Sequence, residues 1–168
     1  DAGGDIVLKA GASTPLTGGV VSVLSGSGAA KSSGSVSIQS SNSGTNGISG
    51  TLSFMSGVTT SGSSGALKMA SGNAVGGRAG SIIVNVGTGT ASYGGSIVSS
   101  AGITNSLTGG SVSISTGAGS ITSSGALRIQ TPNGGTLGTS GFLEFSTGTT
   151  SSGSSGTVSF STGSATVG

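Results

Sequence analysis

Eight charged side chains are all that 168 residues offer to ionic chemistry: Lys9, Lys31, Lys68, Arg78 and Arg128 against Asp1, Asp5 and Glu144. There is no histidine and no cysteine. Imidazole bases, thiolate nucleophiles, disulfides and Cys/His metal sites are thereby excluded. The three carboxylates are far apart in the chain, so the clusters needed for acid–base hydrolysis or for calcium are not expected. A calcium-binding GGxGxD roll would need a recurring aspartate, and none recurs. The expectation is therefore no catalytic residue, no cofactor-binding residue, no metal ligand and no enzyme.

Three smaller features carry weaker signals. The string Gly76–Ser81, GGRAGS, has the glycines of a phosphate-cradling loop, but it lacks the following lysine and leads into alternating residues instead of a helix. It reads as a turn. The five basic residues stand singly, without interleaved aromatics, which argues against nucleic-acid binding. Arg128 and Glu144 occupy the same position in successive repeats, and stacking those repeats would make them a surface ion pair worth less than about 1 kcal/mol.

The repeats are the elements that must position all of these groups. A leading glycine occurs at Gly4, Gly19, Gly34, Gly50, Gly65, Gly80, Gly95, Gly110, Gly125, Gly141 and Gly156. The interval is constant, as from Gly4 to Gly19, except that Gly34 to Gly50 and Gly125 to Gly141 are each one place longer. Two places after each glycine stand Ile6, Val21, Val36, Leu52, Leu67, Ile82, Ile97, Val112, Leu127, Leu143 and Val158. Four places after stand Leu8, Val23, Ile38, Phe54, Met69, Val84, Ser99, Ile114, Ile129, Phe145 and Phe160, with Ser99 the one polar member. A small residue and usually a second glycine follow, as in Gly110–Gly117, GSVSISTG.

Apolar residues alternating at period two describe a strand with one covered face. A fixed period of this length describes a solenoid. The sequence therefore predicts an all-β fold: a parallel β-solenoid, or β-helix, of eleven coils with about 15 residues each. Each aliphatic would stack on its counterparts about 4.8 Å above and below. Turns are expected at the second glycines and in the Ser/Gly/Thr-rich stretch before each leading glycine. The return side would be a thin opposing wall of Ala, Ser, Thr and Gly, with only Leu16, Val75, Leu107, Ile121, Leu137 and Val167 scattered along it.

Residues 3–77 align without a gap on residues 94–168, an offset of 91, with about half the positions identical. The reading is one continuous body over 1–168, with a six-coil super-repeat at 3–93 and a partial second copy at 94–168. Both ends fall inside a super-repeat and neither has a capping segment, so a window on a longer repeat chain is expected. Abundant glycine and serine resemble a linker or a silk-like tract. Disorder, however, goes with low hydropathy and high net charge. The mean hydropathy here is +0.30 and the formal charge only +2.

On these repeats the chain resembles the Gly/Ser/Thr-rich tandem repeats of large secreted surface proteins and, more loosely, the β-helical shafts of filamentous adhesins. That resemblance implies a structural component of an extracellular or cell-surface fibre. Its partners would be further copies along the fibre axis, or a covalent continuation of the chain, with glycans on Ser and Thr. No Asn-x-Ser/Thr sequon occurs, which removes N-linked sugar, and no membrane span or nucleic-acid partner is expected. Apolar residues on the outward columns, among them Val7, Val20, Leu24, Met55, Ile83, Val98 and Phe142, point to lateral contact. Two alternatives remain. Insect antifreeze solenoids are similar in period, although no outward column here is consistently threonine. A functional amyloid would stack separate chains end to end.

Overall fold

The computed structural model describes residues 3–91 and 93–165. Asp1 and Val167 lie outside them. The chain divides into two units, Asp1–Val84 and Asn85–Gly168.

In every interval between leading glycines the backbone bends once. Where the repeat has a second glycine, the bend comes a few residues beyond it. The bends fall at 14–16, 29–31, 60–62, 75–77, 105–107, 120–122 and 151–153, at 90–91 among the described residues, and as turns at 45–46 and 136–137. Behind each bend the chain returns to the segment it has just left. A β-carbon placed on the leading glycine would lie 2.7–3.8 Å from a side-chain atom of the residue six places after the preceding leading glycine. Those residues are Ala10, Ser25, Ser40, Ser56, Ser71, Val86, Ala101, Thr116, Thr131 and Thr147. All but Val86 are small or bear only a hydroxyl and a methyl. This close approach gives the small sixth position its physical reason.

Four of the loops are sealed by a backbone hydrogen bond at their base. The N–H groups of Gly19, Gly34, Gly110 and Gly125 donate to the carbonyls of Gly11, Gly26, Gly102 and Gly117, each at 2.9 Å. The second glycine thus marks the base of a loop, and the bend itself comes later.

These closures correct the expected architecture. Among the described residues there is no strand and no helix, so the parallel β-solenoid, or β-helix, of eleven coils is not formed. A solenoid coil hands its N–H and C=O groups to the coil one full period away. Here Gly19, Gly34, Gly110 and Gly125 instead bond eight places back, within their own loops. The period is kept, but it is the period of closed loops in series.

The packing follows from the same geometry. No described residue is buried, and only Ala10 and Ala101, beneath Gly19 and Gly110, are more covered than exposed by a wide margin. The total accessible surface is 16770 Å². A folded chain of 15.3 kDa scales to about 7,000 Å² and its extended form to about 22,000 Å². Only about a quarter of the extended surface is removed from water, where a domain of similar size removes about 68–70%.

The alternation in the sequence survives in exposure. From Val21 to Val158 the residues two places after the glycine are 47–62% exposed, whereas the outward Val7, Val20, Leu24, Met55, Ile83, Val98 and Phe142 are 80–86% exposed. The column is half-covered and the other side open. Ile6, in the first repeat, is 99% exposed. The rings of Phe145 and Phe160, like positions of neighbouring repeats, meet edge to face, with centroids 5.8 Å apart. The expected opposing wall is also absent. Leu16, Val75, Leu107, Ile121 and Leu137 sit in the bends and turns and are almost entirely exposed.

Gly28 and Gly119 hold their loops by close backbone approach. A β-carbon on Gly28 would collide with the carbonyl oxygens of Lys31 and Ser32, and one on Gly119, its counterpart in the second super-repeat, with those of Thr122 and Ser123. Neither collision can be relieved by turning a side chain. Gly28→Ala is expected to open its loop and to speed amide exchange at Gly34 roughly two- to tenfold, the equivalent of one net hydrogen bond. Gly19, in the neighbouring loop, serves as the internal control. Unchanged exchange at Gly34 would show that the loop tolerates the methyl.

Candidate functional site

Among the described residues no group of three or more Asp or Glu side chains could hold a metal ion. No cavity is present among them either. Asp5 and Glu144 lie in different units. Arg128 does not take Glu144 as its partner: its Nε donates to Oε1 of Gln130 at 2.6 Å, two places along the same segment. The expected ion pair required successive repeats to be stacked at equivalent positions, and loops that close on themselves do not deliver that register.

The GGRAGS string forms a bend over 75–77, with Gly76 at a φ of +75°. The turn is present, but no helix follows it, so its amides have no helix dipole behind them for an anion. No helix among the described residues is long and apolar enough to cross a membrane.

The hydroxyl groups are arranged by the loops. In one loop Thr59 Oγ1 donates to the carbonyl of Ser61 at 2.9 Å, and Gly62 follows with a φ of +102°. The same arrangement returns one super-repeat later, where Thr150 Oγ1 donates to the carbonyl of Ser152 at 2.9 Å and Gly153 has a φ of +108°. Side-chain bonds of this kind set a turn locally and compete with regular structure. The two 16-residue repeats also match each other. Gly47 N–H donates to Gly44 O at 3.4 Å and Gly138 N–H to Gly135 O at 3.2 Å, so each carries a four-residue turn. The first is supported by Ser43 Oγ, which donates to Gly47 O at 2.9 Å. The second is packed at Gly134, where a β-carbon would meet the backbone of Gly138, Thr139 and Ser140.

Sequence reasoning missed these loop devices. The signal for them was the offset between the two super-repeats: TTSG at 59–62 and TSSG at 150–153 are paired by it, as are Gly28 with Gly119 and Gly44 with Gly135.

What remains as a candidate site is a surface. Two columns of apolar side chains run through every repeat, and the chain itself covers them only in part. Fully burying one such side chain corresponds to about 60–120 Å² of apolar area, at about 25 cal/mol per Å². Twelve of them lie in the first unit and nine in the second; at their observed exposures these leave roughly 450–900 Å² and roughly 300–600 Å² uncovered by the same measure. A stable protein–protein interface takes about 800 Å² from each partner. The first unit's share spans that area and the second's falls below it.

No protein-family model, no curated protein and no solved structure matches the chain.

Proposed function

We propose that this chain is a structural component of an extracellular or cell-surface fibre, without catalytic activity, whose partners are further copies of itself. The observation that carries the reading is the pair of apolar columns, repeated in sequence from Ile6 to Phe160 and left from about half to almost fully exposed. A chain that keeps apolar residues in step through eleven repeats, yet leaves all of them accessible, has its missing cover in an assembly. The extracellular placement rests on the likeness of the Gly/Ser/Thr-rich repeats to those of secreted surface proteins. The exposed serines and threonines suit O-linked glycans, which would keep the outward side in water while the columns are covered.

Sedimentation velocity over a wide concentration range tests the reading. Assembly into species larger than the monomer at micromolar concentration is the expected result, with a slight dependence on salt because the net charge is small. A chain that sediments as a monomer up to the millimolar range would overturn it.

A further inference from the structure

We infer that the Asn46–Gly47 step is a site of spontaneous modification, at which the side-chain amide is lost through a cyclic imide and an aspartyl or isoaspartyl linkage takes its place. The inference does not depend on association between copies. It rests on what surrounds one nucleophile, the main-chain nitrogen of Gly47.

Six asparagines occur, Asn42, Asn46, Asn73, Asn85, Asn105 and Asn133, and all of them are exposed. The reaction needs the nitrogen of the next residue to reach the asparagine Cγ, an approach that a side chain on that next residue obstructs. Only Asn46 and Asn133 are followed by glycine. The backbone must also rotate out of its resting geometry, which the hydrogen-bond ladder of a helix or strand would prevent. Among the described residues there is neither.

The two Asn-Gly steps differ in what holds them. Asn46 lies inside the Gly44–Gly47 turn, whose closing bond from Gly47 N–H to Gly44 O is long at 3.4 Å and therefore weak. Ser43 Oγ donates to Gly47 O, which restrains the carbonyl and not the nitrogen. A β-carbon on Gly47 would meet nothing closer than Ser43 Cβ at 3.4 Å, so the step has room to turn. Gly134 is wedged instead: a β-carbon there would stand 2.7–2.9 Å from the backbone of Gly138, Thr139 and Ser140. Asn46 is the reactive asparagine, and Asn133 lags behind it.

The steps balance with water alone. Gly47 N–H gives its proton to hydroxide and the nitrogen attacks Cγ of Asn46. A C–N bond forms, the bond to the side-chain amide nitrogen breaks, and ammonia leaves with a proton taken from water. A further water molecule then opens the imide at one carbonyl or the other. One opening restores the main chain with an aspartate, and the other routes it through Cβ and Cγ, one atom longer. Either product carries a new carboxylate, so the formal charge of +2 falls by one for each step converted. Conversion at both steps brings the chain to no net charge, which removes the mutual repulsion that keeps copies apart in solution.

The test incubates the full chain in mildly alkaline buffer, dilute enough to stay monomeric, and follows each asparagine by peptide mapping with isoelectric focusing on the same samples. Asn46 is expected to convert first, with isoaspartate among its products and a more acidic band rising in step. Asn133 should lag by roughly two- to tenfold, the equivalent of about one net hydrogen bond. That lag should vanish in concentrated urea, where the loops are open. The methyl that Gly47→Ala adds meets only Ser43 Cβ, at ordinary contact distance. This variant should slow Asn46 to the pace of Asn73, whose neighbour is already alanine, and leave Asn133 as it was. Conversion of Asn46 no faster than that of Asn73 in the unaltered chain would overturn the site. Asn133 keeping pace with Asn46 in buffer, or lagging equally in urea, would overturn the part given to the packing of Gly134.

Discussion

Replacing Val21, Val36, Leu52 and Leu67 together with serine is expected to weaken self-association by at least about a hundredfold. Each of these residues is about half exposed in the single chain. Covering the remaining half of such a side chain is worth about 0.75–1.5 kcal/mol, half the value for full burial. Four of them sum to about 3 kcal/mol at the lower end, and about 1.4 kcal/mol is a factor of ten in an association constant. The matched control replaces Val7, Val20, Ile83 and Val98, which belong to the outward side and have no apolar counterpart in most repeats. Its effect should stay within a few-fold. Sedimentation equilibrium on both variants decides the matter. An equal loss in the control would show that apolar content, and not the column, drives association. Because the columns contribute little inside the single chain, the serine variant is not expected to differ from the parent in its monomeric hydrodynamic radius.

Dilute monomeric chain is expected to show almost no cooperative unfolding. A globular chain of 168 residues would release a heat capacity of about 2.0–2.5 kcal/mol/K, from about 12–15 cal/mol/K per residue. The heat-capacity change scales with the surface exposed. The chain removes about a quarter of its extended surface where a typical domain removes about 68–70%, so the release should fall to roughly a third of the globular value. Calorimetry at low concentration should find a shallow transition or none. Amide exchange should be close to that of an open chain throughout, slowed chiefly at Gly19, Gly34, Gly110 and Gly125, whose N–H groups close their loops. A sharp transition with the full globular heat capacity would contradict the open arrangement. The same measurement at concentrations where copies associate should recover cooperativity, since the columns then find their cover.

Much of the repeat was legible in the sequence. The leading glycines, the two apolar columns and the small sixth residue are all positions at which the backbone or a neighbour makes a physical demand. The contrast between Val21 at 49% exposed and Val20 at 86% is the alternation seen in the residue types. What was not legible is the partner of each leading glycine. A coil that stacks on the next coil and a loop that closes on its own base impose the same period, the same glycines and the same alternation. The choice between them is energetic. Two aliphatic residues per repeat offer a few kcal/mol of burial, against the ordering of every residue in the repeat at more than about 1 kcal/mol each. A bond eight places away fixes a shorter stretch of chain than one a full period away, so less loop-closure entropy is lost. The contacts within each loop were illegible for another reason. Thr59 with Ser61, or Gly28 with Ser32, are local geometries among many serines, threonines and glycines of the same kind.

The four loops closed by a single glycine-to-glycine hydrogen bond have a mechanical meaning. Gly11 and Gly19 are joined by eight steps along the chain, about 28 Å of backbone when drawn out, yet the loop ends stand one hydrogen bond apart, at 2.9 Å. Each such loop therefore holds back about 25 Å of slack, released when one weak bond parts and taken up again when the tension is gone. The Gly26–Gly34, Gly102–Gly110 and Gly117–Gly125 loops hold the same reserve, so these four loops together store about 100 Å of slack, paid out under tension as their closing bonds part.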